Sequence, residues 1–142
     1  MTIQFTIDGP PYGKGRPRFT RTGHTYTPDK TAQYERRVIL AYKSQARGQR
    51  LSGPIEAAIY TTFGPVKSDS IRMWAKKLAG AVLPVKKPDC DNIAKTVLDA
   101  LNGVAYDDDC QIVALHVYKL YGETPRVTVQ LREVAEERGN DE

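Results

Sequence analysis

The chain has 142 residues and a net charge of +4, with 40% apolar and 27% charged residues. This length suits one domain with a single core, and the composition is typical of a globular protein rather than a disordered or fibrous one. No apolar stretch approaches the roughly 20 residues of a membrane span, and the N-terminus lacks the pattern of a signal peptide. The sequence therefore predicts a cytoplasmic protein that does not associate with membranes.

The charge is unevenly distributed along the chain. Residues 1–50 contain ten Lys and Arg against three Asp and Glu, whereas residues 51–142 contain eleven against fourteen. A basic segment favours binding of a polyanion, and clustered aspartates would repel that polyanion unless a cation lay between them. This distribution indicates a nucleic acid held by the first part and a metal site in the second, with an ordinary solvated surface as the alternative.

Hydrophobic periodicity predicts four strands and three helices, separated by turns. Residues 9–18 are too rich in Gly and Pro for regular structure and are predicted to form a loop. The strands are predicted at residues 2–8, at 55–61, at 111–120 and around 127–131. The helices are predicted from Thr27-Pro28 to Gly48, at 71–78 with an end at Gly80, and at 90–102.

The order of these elements predicts an α/β (α+β) fold in which a single-layer mixed β-sheet is covered by helices. The helices carry apolar stripes that would face the sheet, listed here as Tyr34, Val38, Ala41 and Tyr42, then Ile71, Trp74, Ala75 and Leu78, then Ile93, Val97, Leu98 and Leu101. One domain is expected over residues 1–132. An acidic tail that frays is expected over residues 133–142.

The first candidate site contains two aspartates at the start of the third predicted helix. Asp89 lies in the extended entry to the helix, and Asp91 falls at its first turn, where the helix dipole favours an anion. From an extended entry the two carboxylates can point the same way and share a hard cation such as Mg²⁺. The alternative is structural, because one aspartate could cap the helix while Asp91 forms an exposed ion pair with Lys95.

The second candidate site is a run of three aspartates, Asp107, Asp108 and Asp109, directly before a predicted strand. Their mutual repulsion makes a turn that contains all three unfavourable without a cation or a basic partner. If residues 108–112 are extended, side chains alternate, and Asp109 shares a face with Gln111 and not with Asp108. An Asp-rich surface turn is the alternative.

The third candidate site is a basic loop that includes aromatic residues. Lys and Arg neutralise phosphates, and aromatic faces stack on unpaired bases. The candidate DNA-binding residues are Lys14, Arg16, Arg18 and Arg21, interleaved with Tyr12, Phe19 and Tyr26, together with Lys86 and Lys87 before the first aspartate pair. A surface hairpin with solvated charges is the alternative.

Several other chemistries are poorly supported by the sequence. His24 and His116 lack zinc-ligand spacing with each other or with the cysteines, and no phosphate-binding loop, dinucleotide motif or nucleophile elbow is present. Cys90 and Cys110 are too few for a disulfide framework. We expect them to be free thiols that pack toward the core in a reducing compartment.

Taken together, the motifs of the chain are similar to those of a known family. They are Asp89-x-Asp91-Asn92-x-x-Lys95, Asp99-Ala100-Leu101-Asn102-Gly103 and Asp108-Asp109-x-Gln111-Ile112, preceded by Gly15-Arg16-Pro17-Arg18, Tyr26 and Tyr34-Glu35. In this combination and spacing they resemble the RusA family of Holliday junction resolvases, from residue 3 to about residue 132. Either acidic motif alone would be a weak signal.

The resemblance implies a dimeric α/β nuclease that resolves Holliday junctions by paired symmetric nicks, in DNA recombination and repair, of a kind often encoded by phages. The implied partner is four-way or other branched DNA, and the implied cofactor is Mg²⁺ or Mn²⁺. By position, the metal carboxylates would be Asp89, Asp91 and Asp109, with Lys95 as the essential cationic partner. Asp108 would lie at the metal as an acceptor for a bound water or for Lys95.

Two features depart from the family pattern. Asp107 adds a third aspartate before the expected pair, and the segment 64–87 is longer than in the shortest relatives. Two other functions stay open at this point: a non-catalytic basic DNA-binding module, and a metal-dependent phosphotransferase that acts on nucleotides. Metal dependence separates the first from a nuclease, and indifference to a junction separates the second.

Overall fold

The computed structural model describes residues 1–13, 18–19, 23, 25–26 and 29–136, with only the backbone at 18–19 and 25–26. In chain order its elements are β1 (Thr2–Asp8), β2 (Arg18–Phe19), β3 (Thr25–Tyr26), α1 (Asp29–Ala46), β4 (Ile55–Phe63), α2 (Ile71–Leu78), α3 (Cys90–Leu101), a 3₁₀ turn (Asp109–Gln111), β5 (Ile112–Tyr121) and β6 (Arg126–Glu133).

Four strands form one mixed sheet in the order β1-β6-β4-β5. The strands β4 and β5 are parallel, while β6 is antiparallel to both β1 and β4. A parallel pair requires a long crossover connection, and the segment that contains α2 and α3 supplies it. The sequence prediction of a mixed sheet with helices is confirmed.

The core lies between the sheet and two of the helices. The stripes of α1 and α3 are buried as predicted, and they pack with the inward side chains of β1, β4 and β6 in one hydrophobic cluster. Its largest fully buried side chains include Tyr42, Tyr106, Phe5, Ile7, Ile55, Ile59, Ile93 and Leu101. Since α3 is fixed on the sheet by this stripe, its opposite face is presented outward.

The predicted start of the first helix, Thr27-Pro28, lies outside the described residues, and α1 is seen from Asp29. The helix ends as expected, because Arg47 and Gly48 both have positive φ values, of 54° and 73°. The prediction of a loop throughout residues 9–18 is corrected at its end, where Arg18–Phe19 pairs with Thr25–Tyr26 as a short antiparallel hairpin. Residues 137–142 of the predicted tail also lie outside the described residues.

The apolar stripe of α2 was predicted to face the core, and this is wrong. Ile71 is 92% exposed and Leu78 is 43% exposed. The helix is anchored by Lys77, which is buried and forms an ion pair with Asp69 at 2.7 Å. The ammonium of Lys77 also lies 4.5 Å from the centre of the Tyr121 ring. A salt bridge and a cation–π contact therefore help to hold α2, whose stripe contributes only the half-buried Trp74.

The two cysteines are free, as predicted, but both are exposed, so the expectation that they face the core is wrong. Cys90 is the first residue of α3, and Cys110 lies in the 3₁₀ turn, so both belong to ends of elements outside the core. Within the described ranges, no helix is long and apolar enough to cross a membrane.

Candidate functional site

The outward face of α3 carries three charged residues at intervals of four. Asp91, Lys95 and Asp99 therefore lie in one row along the helix. The Lys95 ammonium is 3.8 Å from an oxygen of Asp99, so Lys95 pairs toward the end of the helix rather than with Asp91. The structural alternative that the sequence left open, an Asp91–Lys95 ion pair, is not formed.

Asp89 occupies the N-cap position of α3 in an extended conformation, with φ −72° and ψ 155°, but its side chain makes no capping hydrogen bond. Of the side-chain contacts in the described part of the chain, none joins Asp89 or Asp91 to a hydrogen-bond or ion-pair partner. Two carboxylates thus stand at a helix start without a hydrogen-bond or ion-pair partner among the described residues, where the helix dipole favours negative charge.

The beginning of the basic loop contacts this helix start. A Cβ atom built on Gly13 would lie 2.8 Å from Cβ of Pro88 and 3.3 Å from Cβ of Asn92, so only glycine fits between them. The neighbouring Tyr12 is held by a hydrogen bond of 3.0 Å between its hydroxyl and that of Thr31. The chain therefore enters the basic loop within contact of the Asp89–Asp91 segment.

Of the six predicted DNA-binding residues, Lys86 and Lys87 are the two whose side chains the structure describes. Lys14, Arg16 and Arg21 lie outside the described residues, and Arg18 is described only as backbone of β2. Lys86 and Lys87 are both exposed, just before Pro88. The Lys86 ammonium lies 5.7 Å from the centre of the Phe63 ring, at the end of β4.

The segment from residue 102 to residue 111 is a tightly hydrogen-bonded turn between α3 and β5. Asn102 accepts a hydrogen bond from the backbone N–H of Asp109 at 2.8 Å. The side-chain oxygen of Gln111 accepts from the N–H groups of Asp107 and Asp108, both at 3.0 Å, and its amide nitrogen donates to the carbonyl of Gly53. The turn is therefore fixed to both α3 and the loop before β4.

The three aspartates of this turn differ in what their carboxylates contact. Asp107 forms an exposed ion pair with Arg50 at 2.5 Å. Asp108 accepts a hydrogen bond from the N–H of Cys110 at 3.0 Å and forms a capping box with Gln111. The N–H of Asp109 donates to the side chain of Asn102, but the carboxyl group of Asp109 takes no part in the backbone hydrogen bonds of the turn.

The expectation that residues 108–112 are extended is wrong. Residues 109–111 form a 3₁₀ turn, and β5 begins only at Ile112. The capping box explains the difference, since Asp108 and Gln111 satisfy backbone donors that an extended segment would have to pair elsewhere. Strand alternation therefore does not apply to Asp108 and Asp109, and the turn brings their carboxyl groups within hydrogen-bond distance of each other.

Burial raises the pKa of Asp109, and the hydrogen bond and negative charge of Asp108 raise this pKa further. Asp99 acts in the same direction, while Lys95 opposes it. The pKa of Asp108 is lowered, chiefly by the hydrogen bond from the Cys110 N–H. The influence of Lys95 and Asp99 on this carboxyl group places Asp109 near the Lys95–Asp99 part of α3.

The donor chemistry of these residues fits a hard divalent cation. Carboxylate oxygens are its preferred ligands, and an added cation would relieve the repulsion around Asp109. Across the described ranges, no group of three or more His, Cys, Asp or Glu side chains is already arranged to hold a metal ion. The structure thus brings Asp109 to the row that contains Lys95 and Asp99, and it leaves Asp89 and Asp91 at the other end of that row.

Sequence reasoning missed the roles of two residues. Asp99 was quoted only as part of a motif, yet its spacing of four from Lys95 was sufficient to place both on one helix face. Asn102, the C-cap residue of α3, positions Asp109 through its side chain. No local pattern in the sequence connects residue 102 with residue 109, because the hydrogen bond depends on how the chain turns.

Comparisons with known proteins identify the family of this chain. The family model described as "Endodeoxyribonuclease RusA" matches residues 8–132. A protein of Bacillus subtilis (strain 168), described as "Uncharacterized protein YqaN", is 38% identical over 138 residues, which cover 94% of this chain and 97% of that protein. The family match includes both acidic segments, α3 and the basic loop. This chain belongs to the RusA endodeoxyribonuclease family.

Proposed function

We propose that this chain is a Mg²⁺- or Mn²⁺-dependent endonuclease that resolves Holliday junctions by paired symmetric nicks, in cytoplasmic DNA recombination and repair. Family membership supports the nuclease activity. The observation that supports the site is the pair of carboxylates at the start of α3, which have no hydrogen-bond or ion-pair partner in the described part of the chain and lie beside the first residues of the basic loop.

The metal would be held by Asp89, Asp91 and Asp109, with Asp108 adjoining them. When bound, Mg²⁺ would supply positive charge to the phosphoryl oxygens and activate a water for in-line attack on the phosphodiester. Lys95 has an exposed ammonium between Asp91 and Asp99 in the row on α3. It would place a fixed cation at the scissile phosphate or the leaving oxygen.

The basic residues would bind the arms of the junction on either side of this site. Lys14, Arg16, Arg18 and Arg21 belong to the loop that starts beside the acidic pair, and Lys86 and Lys87 immediately precede it. Their cations would neutralise the phosphates that flank the cut. The carboxylates would therefore act in cleavage, and the basic residues would act in DNA binding.

The protein would act as a homodimer. A four-way junction has approximate two-fold symmetry, and its resolution requires two symmetric nicks. Each chain supplies one set of the proposed residues, so two chains related by a two-fold axis would supply one set for each strand that is cut.

The activity can be tested with a labelled synthetic four-way junction and a linear duplex that contains the same sequences. Each is incubated with the protein with and without Mg²⁺. We expect paired nicks in the junction only when Mg²⁺ is present, and little cutting of the duplex. Equal cutting of both substrates would contradict the junction specificity. Junction binding without cutting at any Mg²⁺ or Mn²⁺ concentration would indicate a binding module instead.

Binding and cutting can be separated by mutation. Replacing Arg16 and Arg18 by Ala should weaken junction binding and reduce the slope of log affinity against log salt by about one unit for each phosphate contact that is lost. Lys43→Ala, which removes a basic side chain from the exposed surface of α1, is the matched control. An unchanged salt slope in the double variant would mean that the basic loop does not bind phosphates.

A further inference from the structure

The two edge strands of the sheet, β1 and β5, differ in how far other parts of the chain cover their outward hydrogen-bonding groups. At the β1 edge, the side chain of Gln45 donates to the carbonyl of Thr6 at 2.7 Å and accepts from its N–H at 2.8 Å. Arg37 donates to the carbonyl of Asp8. Side chains from α1 therefore occupy the outward hydrogen-bonding groups of β1 at Thr6 and Asp8, and another strand could pair along the whole of this edge only by displacing them.

The β5 edge has no comparable cover in the described ranges. β5 is ten residues long and pairs there only with β4. Four of its apolar side chains are exposed: Val113 at 62%, Leu115 and Tyr118 at 45%, and Leu120 at 42%. A long apolar edge with unpaired backbone groups is a template for pairing with another strand, and proteins normally protect such an edge.

The exposed apolar surface extends from this edge onto the adjacent strand. The rings of Tyr60 on β4 and Tyr118 on β5 are stacked, with centroids 5.1 Å apart and planes 12° apart. Tyr60 is itself 40% exposed. A partner at this edge would therefore find both backbone hydrogen-bonding groups and aromatic surface to cover.

The charges at the two ends of β5 are opposite. The strand begins directly after the acidic turn of Asp107, Asp108 and Asp109. Near its other end, the ammonium groups of Lys119 and Lys86 lie 5.3 Å and 5.7 Å from the centre of the Phe63 ring. Two copies of β5 paired antiparallel would place the acidic start of each beside the basic end of the other, whereas a parallel pair would place like charges together.

The geometry points to a second copy of this chain as the partner of the β5 edge. Two β5 strands pair antiparallel about a two-fold axis, so that the two sheets become one continuous sheet. This inference rests on the homodimer proposed above and names the surface that forms it. It also determines where the proposed metal sites of the two subunits lie relative to each other, because the 3₁₀ turn of each subunit immediately precedes its interface strand.

The test is the mass of the protein in solution, without DNA or metal. Sedimentation equilibrium at micromolar concentrations should give about twice the chain mass of 15.9 kDa. The double variant Val113→Lys, Leu115→Lys adds a charge at two exposed positions of the edge and should weaken dimerisation at least about tenfold. The matched control is Thr2→Lys on the β1 edge, which should leave the dimer unchanged. Circular dichroism verifies that each variant is folded.

Hydrogen exchange provides a second measurement that needs no variant. Backbone amides of β5 should become more protected as the protein concentration rises, whereas those of β1 should not change. A wild-type monomer, or a β5 variant that is as dimeric as the wild type, would overturn the inference. So would concentration-independent exchange of β5. None of these results depends on cleavage, so the inference can fail while the proposed nuclease activity stands.

Discussion

Asp89 and Asp91 lie at the exposed start of α3, and their side chains have no partner among the described residues. Asp107 and Asp108, by contrast, are bound into the turn before β5 by Arg50 and by the Cys110 N–H. Asp109 belongs to the second segment by position, yet it resembles the first in that its carboxyl group lies outside the backbone network of the turn. The two acidic segments thus differ in how many of their carboxylates serve the fold.

This difference separates functional from structural carboxylates by a physical criterion. An aspartate that serves the fold has a donor or a cation nearby that stabilises its charge. An aspartate that serves a metal is left with uncompensated charge until the metal binds. By this criterion the candidates are Asp89, Asp91 and Asp109. Substitutions in the two segments should therefore give different combinations of lost activity and lost stability.

Asp109→Asn should have the largest effect. We expect the cleavage rate to fall at least about 100-fold, since even an outer partner of a metal ligand is worth about 10- to 100-fold. The Tm should be unchanged or raised, because the variant removes a charge that burial and Asp108 disfavour. Cleavage rates over a Mg²⁺ titration, together with thermal melts, measure both effects. A normal rate would remove Asp109 from the metal site.

Asp91→Asn and Asp89→Asn should reduce cleavage to a similar degree, while junction binding is retained or becomes tighter as negative charge is lost. Neither carboxylate has a partner to lose, so the Tm should stay within about 2 °C of the wild type. Asp29→Asn removes an acidic side chain from the first turn of α1 and is the matched control. Destabilisation by several degrees in the α3 variants, but not in the control, would show that this pair does serve the fold.

Two substitutions at Asp108 distinguish the effect of its negative charge from the effect of its capping hydrogen bond. Asp108→Ala removes the acceptor of the Cys110 N–H, and we expect the Tm to fall by about 3 °C and cleavage by roughly tenfold as Asp109 loses its position. Asn retains a cap, so Asp108→Asn should be milder in both measurements. An equally inactive Asp108→Asn variant that keeps its Tm would instead make Asp108 a direct metal ligand.

Asp107→Asn should have the smallest effect, with cleavage within about twofold of the wild type, because its ion pair with Arg50 is exposed to solvent. Arg50 also donates to the carbonyl of Gly103 at 2.8 Å, so the turn keeps a contact with this arginine. Cleavage rates of the three single Asn variants at positions 107, 108 and 109 provide the ranking. If Asp107→Asn is the most damaging, the site lies on the opposite side of the turn.

The order of the main helices and strands was predictable because each has a strong local period. The stripe of α3 and the alternation of β1 depend only on side-chain spacing, and both are buried as expected. The stripe of α2 was misleading, since its period is equally clear but Ile71, Ala75 and Leu78 are exposed and only Trp74 is half-buried. Periodicity along the chain determines whether a segment is a helix or a strand, whereas its burial depends on whether another part of the fold packs against its apolar face.

The amino-acid sequence by itself determined the family, the mixed α and β architecture and the set of candidate carboxylates, because these depend on spacing along the chain. Only the tertiary structure decided which aspartates already have hydrogen-bond or ion-pair partners within the fold. The capping box at Asp108, the Arg50–Asp107 pair and the bond from the Asp109 N–H to Asn102 join residues through folded geometry. It likewise decided that β1 is covered at Thr6 while no described side chain covers the edge of β5, because Gln45 reaches Thr6 only after α1 has packed beside the sheet.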